Sequence, residues 1–281
     1  MSVKSKMTAL ADAIRAKTGE TAPLSIDGMT RSICGLQVNG SDDLAKGLIS
    51  GEATSLVIPP DVTRIRSHGC SYLKITSVVV PETITWIGTY AFQHCDNLTS
   101  AVVNCNELGG YMFFDCTSLS YVKFSPQLSN IPNAAFQACY SLESIDLPQS
   151  LLTIGGSAFG SCRSLQSITI PAGTQTIGLQ AFYACSALTS IALPASLKTI
   201  SDNAFSACYN IADVQLGQGF CASLNLSASK LLTPEVMVPM LTALCDRTGD
   251  TTLTLALGKT NLDKLNTAEI QIATDKNWTL A

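Results

Sequence analysis

The sequence predicts an α/β repeat protein, a right-handed solenoid of about seven coils of ~23 residues with parallel strands. One pattern recurs five times: an isoleucine, a cysteine eight residues later, and a leucine or isoleucine three residues further on. Four of these cysteines follow one another at intervals of 23 residues, namely Cys139, Cys162, Cys185 and Cys208. A fixed period of this length is typical of stacked coils, because one unit cannot bury its own apolar face.

The parts of one repeat predict a strand, a bend and a filled interior. Residues 142–147 alternate apolar and polar side chains near their end, which is typical of a strand with one buried face. Pro148 has no N–H to donate and therefore ends the strand. The pair Ile154-Gly155 indicates a tight bend with an apolar anchor. We expect Ala158-Phe159 and the cysteine to fill the interior, with equivalent residues stacked about 4.8 Å apart.

Two units depart from this frame. Cys116 follows Cys95 by only 21 residues. The unit around Cys70 is shorter before its cysteine and has two extra residues before Pro81. Residues 56–59 indicate the strand of an incomplete first coil. We therefore place the solenoid at residues 41–220.

The eleven cysteines are predicted to be mainly structural thiols. Parallel side chains stacked coil on coil leave their Cβ atoms too far apart for disulfides without distortion, and a buried free cysteine behaves as a small apolar residue. The odd total also favours thiols. Cys34, Cys105, Cys221 and Cys245 lie off the ladder, and their state stays open. The predicted ladder consists of Cys70, Cys95, Cys116, Cys139, Cys162, Cys185 and Cys208.

The repeated residues resemble the bacterial surface-antigen (BspA-like) branch of the leucine-rich repeats over about residues 44–220. Its pattern has Ala-Phe, Cys three residues after the Phe, Leu three residues later, Ile three residues later and then Leu-Pro. Ala135-Phe136, Cys139, Leu142, Ile145 and Leu147-Pro148 match this pattern. The resemblance implies a leucine-rich-repeat solenoid that binds a partner rather than one that catalyses a reaction. It does not identify the ligand.

Residues 1–40 are predicted to form a helical segment ahead of the solenoid. Apolar residues on one face predict a helix over residues 7–17, and a second short helix follows Asp27. One role is a cap over the first coil, since solenoids need their end coils covered. Residues 11–19, Pro23-Leu24 and Asp27-Gly28-Met29 also resemble an N-terminal segment of phage tail and prophage structural proteins. That resemblance implies attachment to a particle or a neighbouring subunit.

Residues 221–281 leave the repeat and predict an α/β cap. Thr233, Pro234 and Glu235 are typical of the N-cap and first turn of a helix, which we expect to reach Gly249. Pro239 predicts a kink in this helix or a later start. A strand at 252–257, a helix at 267–276 and a closing strand at 278–280 follow. Such a cap would cover the apolar residues and strand edges of the last coil.

Composition disfavours several classes of function. A net charge of −4 with scattered signs argues against nucleic acid, which requires clustered Lys and Arg. Only 6% of residues are aromatic, so platforms for stacking sugars or bases are expected to be scarce. No apolar run approaches the ~20 residues that span a bilayer, so we expect no membrane insertion. The N-terminus lacks the features of a secretory signal peptide, which favours a cytoplasmic or particle-associated protein, or export to the cell surface by another route.

The sequence predicts no catalytic residue, metal site or cofactor. His68 and His94 lie near cysteines and could indicate a metal or a Cys-His nucleophile, but they occupy different positions of the repeat. The sequence contains no CxxC, HExxH, GxSxG or phosphate-loop motif. Glu143 and Asp146 lie on one strand, unlike the carboxylates that glycosidases pair across a cleft. An enzyme of the parallel β-helix type would need Asp, Arg and Lys gathered on adjacent coils, which this chain does not have.

The candidate functional surface is the set of strand residues that point outward, five and seven positions after each cysteine. Repeat proteins commonly bind through such an extended face; the alternative is a plain solvated face of small polar residues. We therefore predict a non-enzymatic binding or structural module for a protein or glycan, in a phage- or prophage-derived assembly. The N-terminal segment offers a route to oligomers. The alternative is a bacterial cell-surface or secreted adhesin. The outward residues are Ser100, Val102, Tyr121, Lys123, Ser144, Asp146, Ser167, Thr169, Ser190, Ala192, Asp213 and Gln215.

Overall fold

The computed structural model describes residues 55–58 and 62–281, which form a stack of parallel-strand coils followed by a small α/β region. The helices predicted within residues 1–40 lie outside the described residues. The predicted solenoid is confirmed in the described part of the chain. We number its coils 1 to 7, at residues 64–80, 86–103, 107–124, 130–147, 153–170, 176–193 and 199–216.

A regular coil contributes one strand to an outward-facing sheet and a two-residue strand to a second sheet. Neighbouring strands are parallel and in register, so that Ser77 pairs with Ser100 and Ile65 pairs with Ile87. The outward strands are β1 (Ser55–Val57), β3 (Ser77–Val80), β5 (Ser100–Val103), β6 (Tyr121–Phe124), β9 (Ser167–Thr169), β11 (Ser190–Leu193) and β13 (Asp213–Leu216). The second strands are β2 (Arg64–Ile65), β4 (Trp86–Ile87), β7 (Asn130–Ile131), β8 (Thr153–Ile154), β10 (Thr176–Ile177) and β12 (Thr199–Ile200).

A column of six buried phenylalanines runs through the solenoid, with successive ring centroids 5.2–5.5 Å apart. Beside it runs a column of cysteines, whose thiols donate hydrogen bonds to backbone carbonyls of the preceding coil. Cys162 donates to Phe136 at 3.2 Å, and Cys185 donates to Phe159 at 3.1 Å. Each repeated side chain therefore has its own copies as neighbours. The phenylalanines are Phe92, Phe113, Phe136, Phe159, Phe182 and Phe205.

Cys70 does not belong to the cysteine column. Its amide donates to the carbonyl of Ala91, as the amides of later phenylalanines donate to the equivalent carbonyl of the following coil. In agreement, the thiol of Cys95 donates to the carbonyl of Cys70 at 3.2 Å, so Cys70 stands at the phenylalanine position of coil 1. Leu73, eight residues after Ile65, takes the cysteine position. Aligning the repeat on Cys70 shifts coil 1 by three residues, so the predicted ladder keeps only its other six members.

Two residues of each coil, four positions apart, have a left-handed backbone with φ between 53° and 64°. They turn the chain between the second strand and the outward strand, and the turns close with hydrogen bonds such as Gln93 N–H to Tyr90 O at 3.2 Å. This conformation costs an L-residue ~1–2 kcal/mol. The first turn column is His68, Tyr90, Tyr111, Ala134, Ser157, Gln180 and Asn203. The second turn column is Tyr72, His94, Asp115, Ala138, Ser161, Ala184 and Ala207.

The glycines of the Ile-Gly pairs are required by contact between coils. A Cβ on Gly178 would lie 2.6 Å from the backbone nitrogen of Gly156, and one on Gly155 would lie 2.7 Å from that of Asn133. Neither glycine has a positive φ. The predicted bend therefore does not explain them: the isoleucine before each glycine lies in a second strand, and the missing Cβ lets the preceding coil approach.

Coils 3 and 4 interrupt the sheets. Coil 3 forms no second strand, because Leu108 comes only five positions after Val103, whereas Ile87 comes seven positions after Val80. Coil 4 forms no outward strand at residues 142–147, where the sequence predicts one. In this stretch a single backbone hydrogen bond reaches coil 5, and Ile145 is only partly buried. The outward strands therefore form two sheets, β1-β3-β5-β6 and β13-β11-β9, and the second strands form β2-β4 and β12-β10-β8-β7.

The C-terminal region has the predicted α/β character. It contains strands β14 (Leu224–Asn225), β15 (Leu253–Ala256) and β16 (Trp278–Leu280), and helices α1 (Pro234–Ala243), α2 (Lys259–Leu262) and α3 (Thr267–Thr274). The short helix α2 is not predicted by the sequence. Helix α1 includes Pro239 and ends at Ala243, not at Gly249, because Leu244 is extended and forms a parallel bridge with Phe220.

Two further contacts hold the end of α1. Cys221 and Cys245, whose state the sequence leaves open, form a disulfide with their Cα atoms 5.4 Å apart. The ammonium of Lys276 donates to the carbonyls of Leu241, Thr242 and Leu244 at 3.3, 2.6 and 2.9 Å. These carbonyls have no partner within the helix, so the lysine supplies the missing donors.

Candidate functional site

The outward strand face consists of two rows of side chains along the solenoid. The strand register aligns Ser100 with Tyr121, and Val102 with Lys123, while Ser167, Ser190 and Asp213 form a similar row. None of the twelve predicted surface residues is buried. Ser144 and Asp146 are also exposed, although coil 4 has no outward strand.

The polar groups of this face interact weakly with one another. Ser190 Oγ donates to the Asp213 carboxylate at 2.9 Å, and Gln215 Nε2 lies 3.4 Å from the same carboxylate. Tyr121 is the large apolar side chain of the face, with 54% of its surface exposed. The face is thus a shallow polar surface with one aromatic side chain and few charges, which suits contact with a macromolecule better than chemistry.

A second surface, which sequence reasoning missed, lies at the turns of coils 1 to 3. In the first turn column the rings of His68 and Tyr90 stack at 4.9 Å, and those of Tyr90 and Tyr111 at 4.5 Å. In the second turn column Tyr72 stacks on His94 at 4.9 Å. Phe114 packs edge-on against Tyr90 and His94 at 6.3 and 6.0 Å. We call His68, Tyr72, Tyr90, His94, Tyr111 and Phe114 the aromatic turn surface.

The positions of the two turn columns carry small or amide side chains in coils 4 to 7. Ala134 and Ser157 continue the first turn column, and Ala138 and Ser161 continue the second. Aligning the coils by their left-handed residues would have shown this contrast, whereas alignment on Cys70 hides it by shifting His68 and Tyr72. The fold therefore does not require bulky side chains at these positions.

Neither histidine is arranged for nucleophilic chemistry. His94 Nδ1 lies 3.0 Å from Asp115 Oδ2, with about a quarter of each side chain exposed. The adjacent Cys95 is buried, and its thiol points to the carbonyl of Cys70. His68 stacks on Tyr90 at another position of the coil, as the sequence predicts for two histidines at different repeat positions.

Burial disfavours ionisation of several thiols in and near the cysteine column. Desolvation raises the pKa of the thiols of Cys139 and Cys162, and it raises that of Cys105 to about 11. The pKa of Cys185 is raised by a hydrogen bond with Cys208 and by burial. A thiol must ionise to act as a nucleophile or a metal ligand. Among residues 55–58 and 62–281, no three His, Cys, Asp or Glu side chains gather as a metal site would require.

In the same residues, no helix combines the length and apolar character needed to cross a bilayer.

The stacked coils, in-register parallel strands and inward Leu, Ile, Phe and Cys columns define a leucine-rich-repeat solenoid. The chain belongs to the BspA type leucine-rich-repeat family, whose model matches residues 50–165 and 129–228 in six copies.

Solved bacterial leucine-rich-repeat proteins have similar structures. One is a leucine-rich-repeat protein of T. pallidum, with 28% identity and a TM-score of 0.53, covering 63% of this chain and 87% of that one. Another is from Eubacterium ventriosum, with 26% identity and a TM-score of 0.52, covering 55% of this chain and 43% of that one. A comparison with curated proteins finds no match.

Proposed function

We propose that this chain is a non-enzymatic protein-binding module that anchors its partner on the aromatic turn surface. The observation that carries the proposal is the contrast between coils. In the two turn columns, coils 1 to 3 carry five Tyr and His residues where coils 4 and 5 carry Ala and Ser on the same backbone. Because the fold tolerates small residues there, folding alone does not account for the aromatic side chains.

The chemistry of this surface suits protein recognition. Tyr and Trp are enriched among residues that contribute most to protein interfaces, because they offer large contact areas with few rotatable bonds. Tyr72 is 62% exposed, and stacking of the other rings holds them in place before binding. Nearby, Arg64 lies over the ring of Trp86 at 4.7 Å, and Trp86 is 40% exposed. Preordered side chains lose less conformational entropy when a partner binds.

The outward strand face is a second candidate contact surface. It supports binding by its length and by its two rows of exposed side chains in register. Tyr121 and Lys123 are the strong anchors of this face. Its small polar residues can complement the shape of a partner but contribute less to binding. We propose that it contributes to the same partner or a second one.

The disulfide favours a cell-surface or secreted setting over the predicted phage or prophage assembly. Disulfides persist in oxidising compartments and are rare in reduced ones. Cys221 and Cys245, which flank helix α1 in the chain, form such a bond within the C-terminal region. The compared proteins offer no support for a phage assembly, and residues 1–40, on which that idea rests, are outside the described residues.

The test compares capture of proteins by matched variants. The double variant Tyr90→Ala, His94→Ala gives coil 2 the residues that coil 4 has at Ala134 and Ala138. A control, Tyr183→Ala with Tyr209→Ala, removes two exposed tyrosines outside the aromatic turn surface. Immobilised chains are exposed to the envelope and secreted fractions of the source bacterium and to extracellular matrix proteins, and captured proteins are quantified by mass spectrometry.

We expect a specific protein to be enriched by the native chain and the control, and its capture to fall at least tenfold with the double variant. Equal capture by the double variant would reject the aromatic turn surface as the anchor. If the strand-face variant Tyr121→Ala, Lys123→Ala alone abolished capture, the second surface would carry the function. No enrichment by the native chain from any of these sources would reject protein binding.

A further inference from the structure

The shortened connection between coils 2 and 3 leaves a notch in the edge of the solenoid. Regular coils are joined by a turn closed by an i→i+3 hydrogen bond, as from Ile84 N–H to Pro81 O at 3.2 Å and from Leu128 N–H to Ser125 O at 3.2 Å. Between coils 2 and 3 this turn is missing, because only four residues (104–107) separate Val103 from Leu108, whereas six (81–86) separate Val80 from Ile87. Here Cys105 is buried and donates through its thiol to the carbonyl of Glu107 at 3.3 Å.

A groove of about 440 Å³ occupies the place of the missing turn. Its polar lining comes from three successive connections: Glu82 from the turn before, Asn104 and Asn106 from the shortened one, and Ser125 and Gln127 from the turn after. Its volume lies within the usual range of ligand clefts. We call this groove the notch site.

Part of the polar lining is held in place by internal hydrogen bonds. The Ser125 hydroxyl, itself buried, donates to Asn106 Oδ1 at 2.7 Å. Asn106 Nδ2 in turn donates to Gln127 Oε1 at 3.3 Å. After these two bonds, one N–H of Asn106 and both N–H groups of Gln127 have no hydrogen-bond partner among the described residues. The Glu82 carboxylate and the Asn104 amide also bond to no described residue, so the site offers both donors and acceptors.

Gln127 has a different role from the residues at its position in other coils. Thr83, Ser150 and Ser196 occupy that position and donate through their hydroxyls to a carbonyl of the preceding connection. The preceding connection of Gln127 is the shortened one, and its longer amide reaches Asn106 instead. The longer side chain of Gln127 therefore matches the shortened connection, and its amide lines the notch site.

We propose that the notch site binds a neutral saccharide. Side-chain amides donate and accept at once, which matches adjacent sugar hydroxyls, and a carboxylate accepts from two hydroxyls. Pro81 and Pro126 add apolar surface for the C–H groups of a sugar ring. The lining contains one acid and no base, so it disfavours anionic sugars and phosphates. A single carboxylate is also a poor basis for a divalent cation, which prefers several.

The experiment uses the fluorescently labelled full chain on an array of neutral, sialylated and sulfated glycans, followed by titration of the best neutral oligosaccharide. The variants Glu82→Ala and Gln127→Ser introduce residues that other coils already have at these positions, Ala172 and Ser150 respectively. The control Gln149→Ala lies at the position of Glu82 in a turn away from the notch. Melting temperatures verify that the variants fold.

We expect the native chain to bind at least one neutral glycan, the combined variant to lose at least tenfold in affinity, and Gln149→Ala to stay within twofold. A chain in which residues 104–107 are replaced by a copy of residues 148–153 fills the notch with a regular turn, and it should also lose binding. The proposal is overturned if no neutral glycan binds, if only sialylated or sulfated glycans bind, or if the filled notch binds as the native chain does. The variant Tyr90→Ala, which tests protein capture, should bind the neutral glycan as the native chain does, because the notch site lies apart from the aromatic turn surface.

Discussion

Truncating one ring of the phenylalanine column tests how the coils are held together. Phe159 is fully buried, with the rings of Phe136 and Phe182 at 5.4 and 5.3 Å on its two sides. Replacing a buried Phe by Ala typically costs 3–5 kcal/mol, and each stacked pair contributes roughly 0.5–1.5 kcal/mol beyond burial. We expect Phe159→Ala to lower the free energy of unfolding by about 4–5 kcal/mol, because it breaks two stacked pairs.

Two comparisons calibrate this value. Phe205 ends the column and stacks only on Phe182, at 5.2 Å, so Phe205→Ala should cost about 1 kcal/mol less. Ser167 is exposed on the outward face, and Ser167→Ala should cost under ~0.5 kcal/mol. Urea unfolding followed by circular dichroism measures all three. Equal losses at Phe159 and Phe205 would refute the stacking argument, and a large loss at Ser167 would show that inside and outside are misassigned.

Three further outcomes follow from burial, cross-linking and capping. Burial raises the pKa of the Cys139 and Cys162 thiols, whereas unfolded thiols ionise near pH ~8.5, so the stability contributed by each should be intact below that pH and fall above it by up to ~1.4 kcal/mol per pH unit. Cys162→Ala should therefore make urea midpoints measured from pH 8 to 10 fall less steeply than in the native chain, and an unchanged slope would contradict this contribution. Reducing the bond between Cys221 and Cys245 should lower the unfolding free energy by ~3 kcal/mol, with hydrogen exchange rising in the C-terminal region and not in coils 5 and 6; a uniform rise would contradict a local role. Lys276→Met removes three hydrogen bonds to the end of α1 and should cost ~1–3 kcal/mol in thermal unfolding, whereas the exposed Lys259→Met should cost almost nothing.

The sequence predicts the features of this fold that repeat in register. The period of 23 residues identifies the coil, and the Leu, Ile, Phe and Cys positions identify its interior, because each must contact its own copy in the next coil. The second strands escape prediction because two residues such as Thr176–Ile177 carry no alternation that could be recognised. The glycine beside them suggests a bend, although its reason is the approach of another coil.

The candidate surfaces were only partly predictable. The outward rows follow directly from strand alternation, so their residues could be named from Ser100 to Gln215. The aromatic turn surface depends on which residues adopt a left-handed backbone, and hydrophobic pattern does not report that. The disulfide depends on a distance between Cys221 and Cys245 that only the path of α1 determines. The 21-residue spacing before Cys116 is visible in the sequence, but the groove it creates becomes evident only when the flanking turns are in place.

The two interruptions of the sheets coincide at one joint of the solenoid. Between coils 3 and 4, neither the outward nor the second strands pair, whereas at least one of these pairings joins each of the other neighbouring coils. Hydrogen bonds at the turns, the stacking of Phe113 on Phe136 and an edge contact from Phe124 to Phe136 at 5.7 Å connect the two sides.

In a linear array, cooperativity passes only between nearest neighbours, so its weakest junction sets the boundary between units that open independently. We therefore expect coils 1 to 3, which bear the aromatic turn surface, and coils 4 to 7 to open as separate units. Binding of a partner to coils 1 to 3 would then have little effect on the stability of coils 4 to 7.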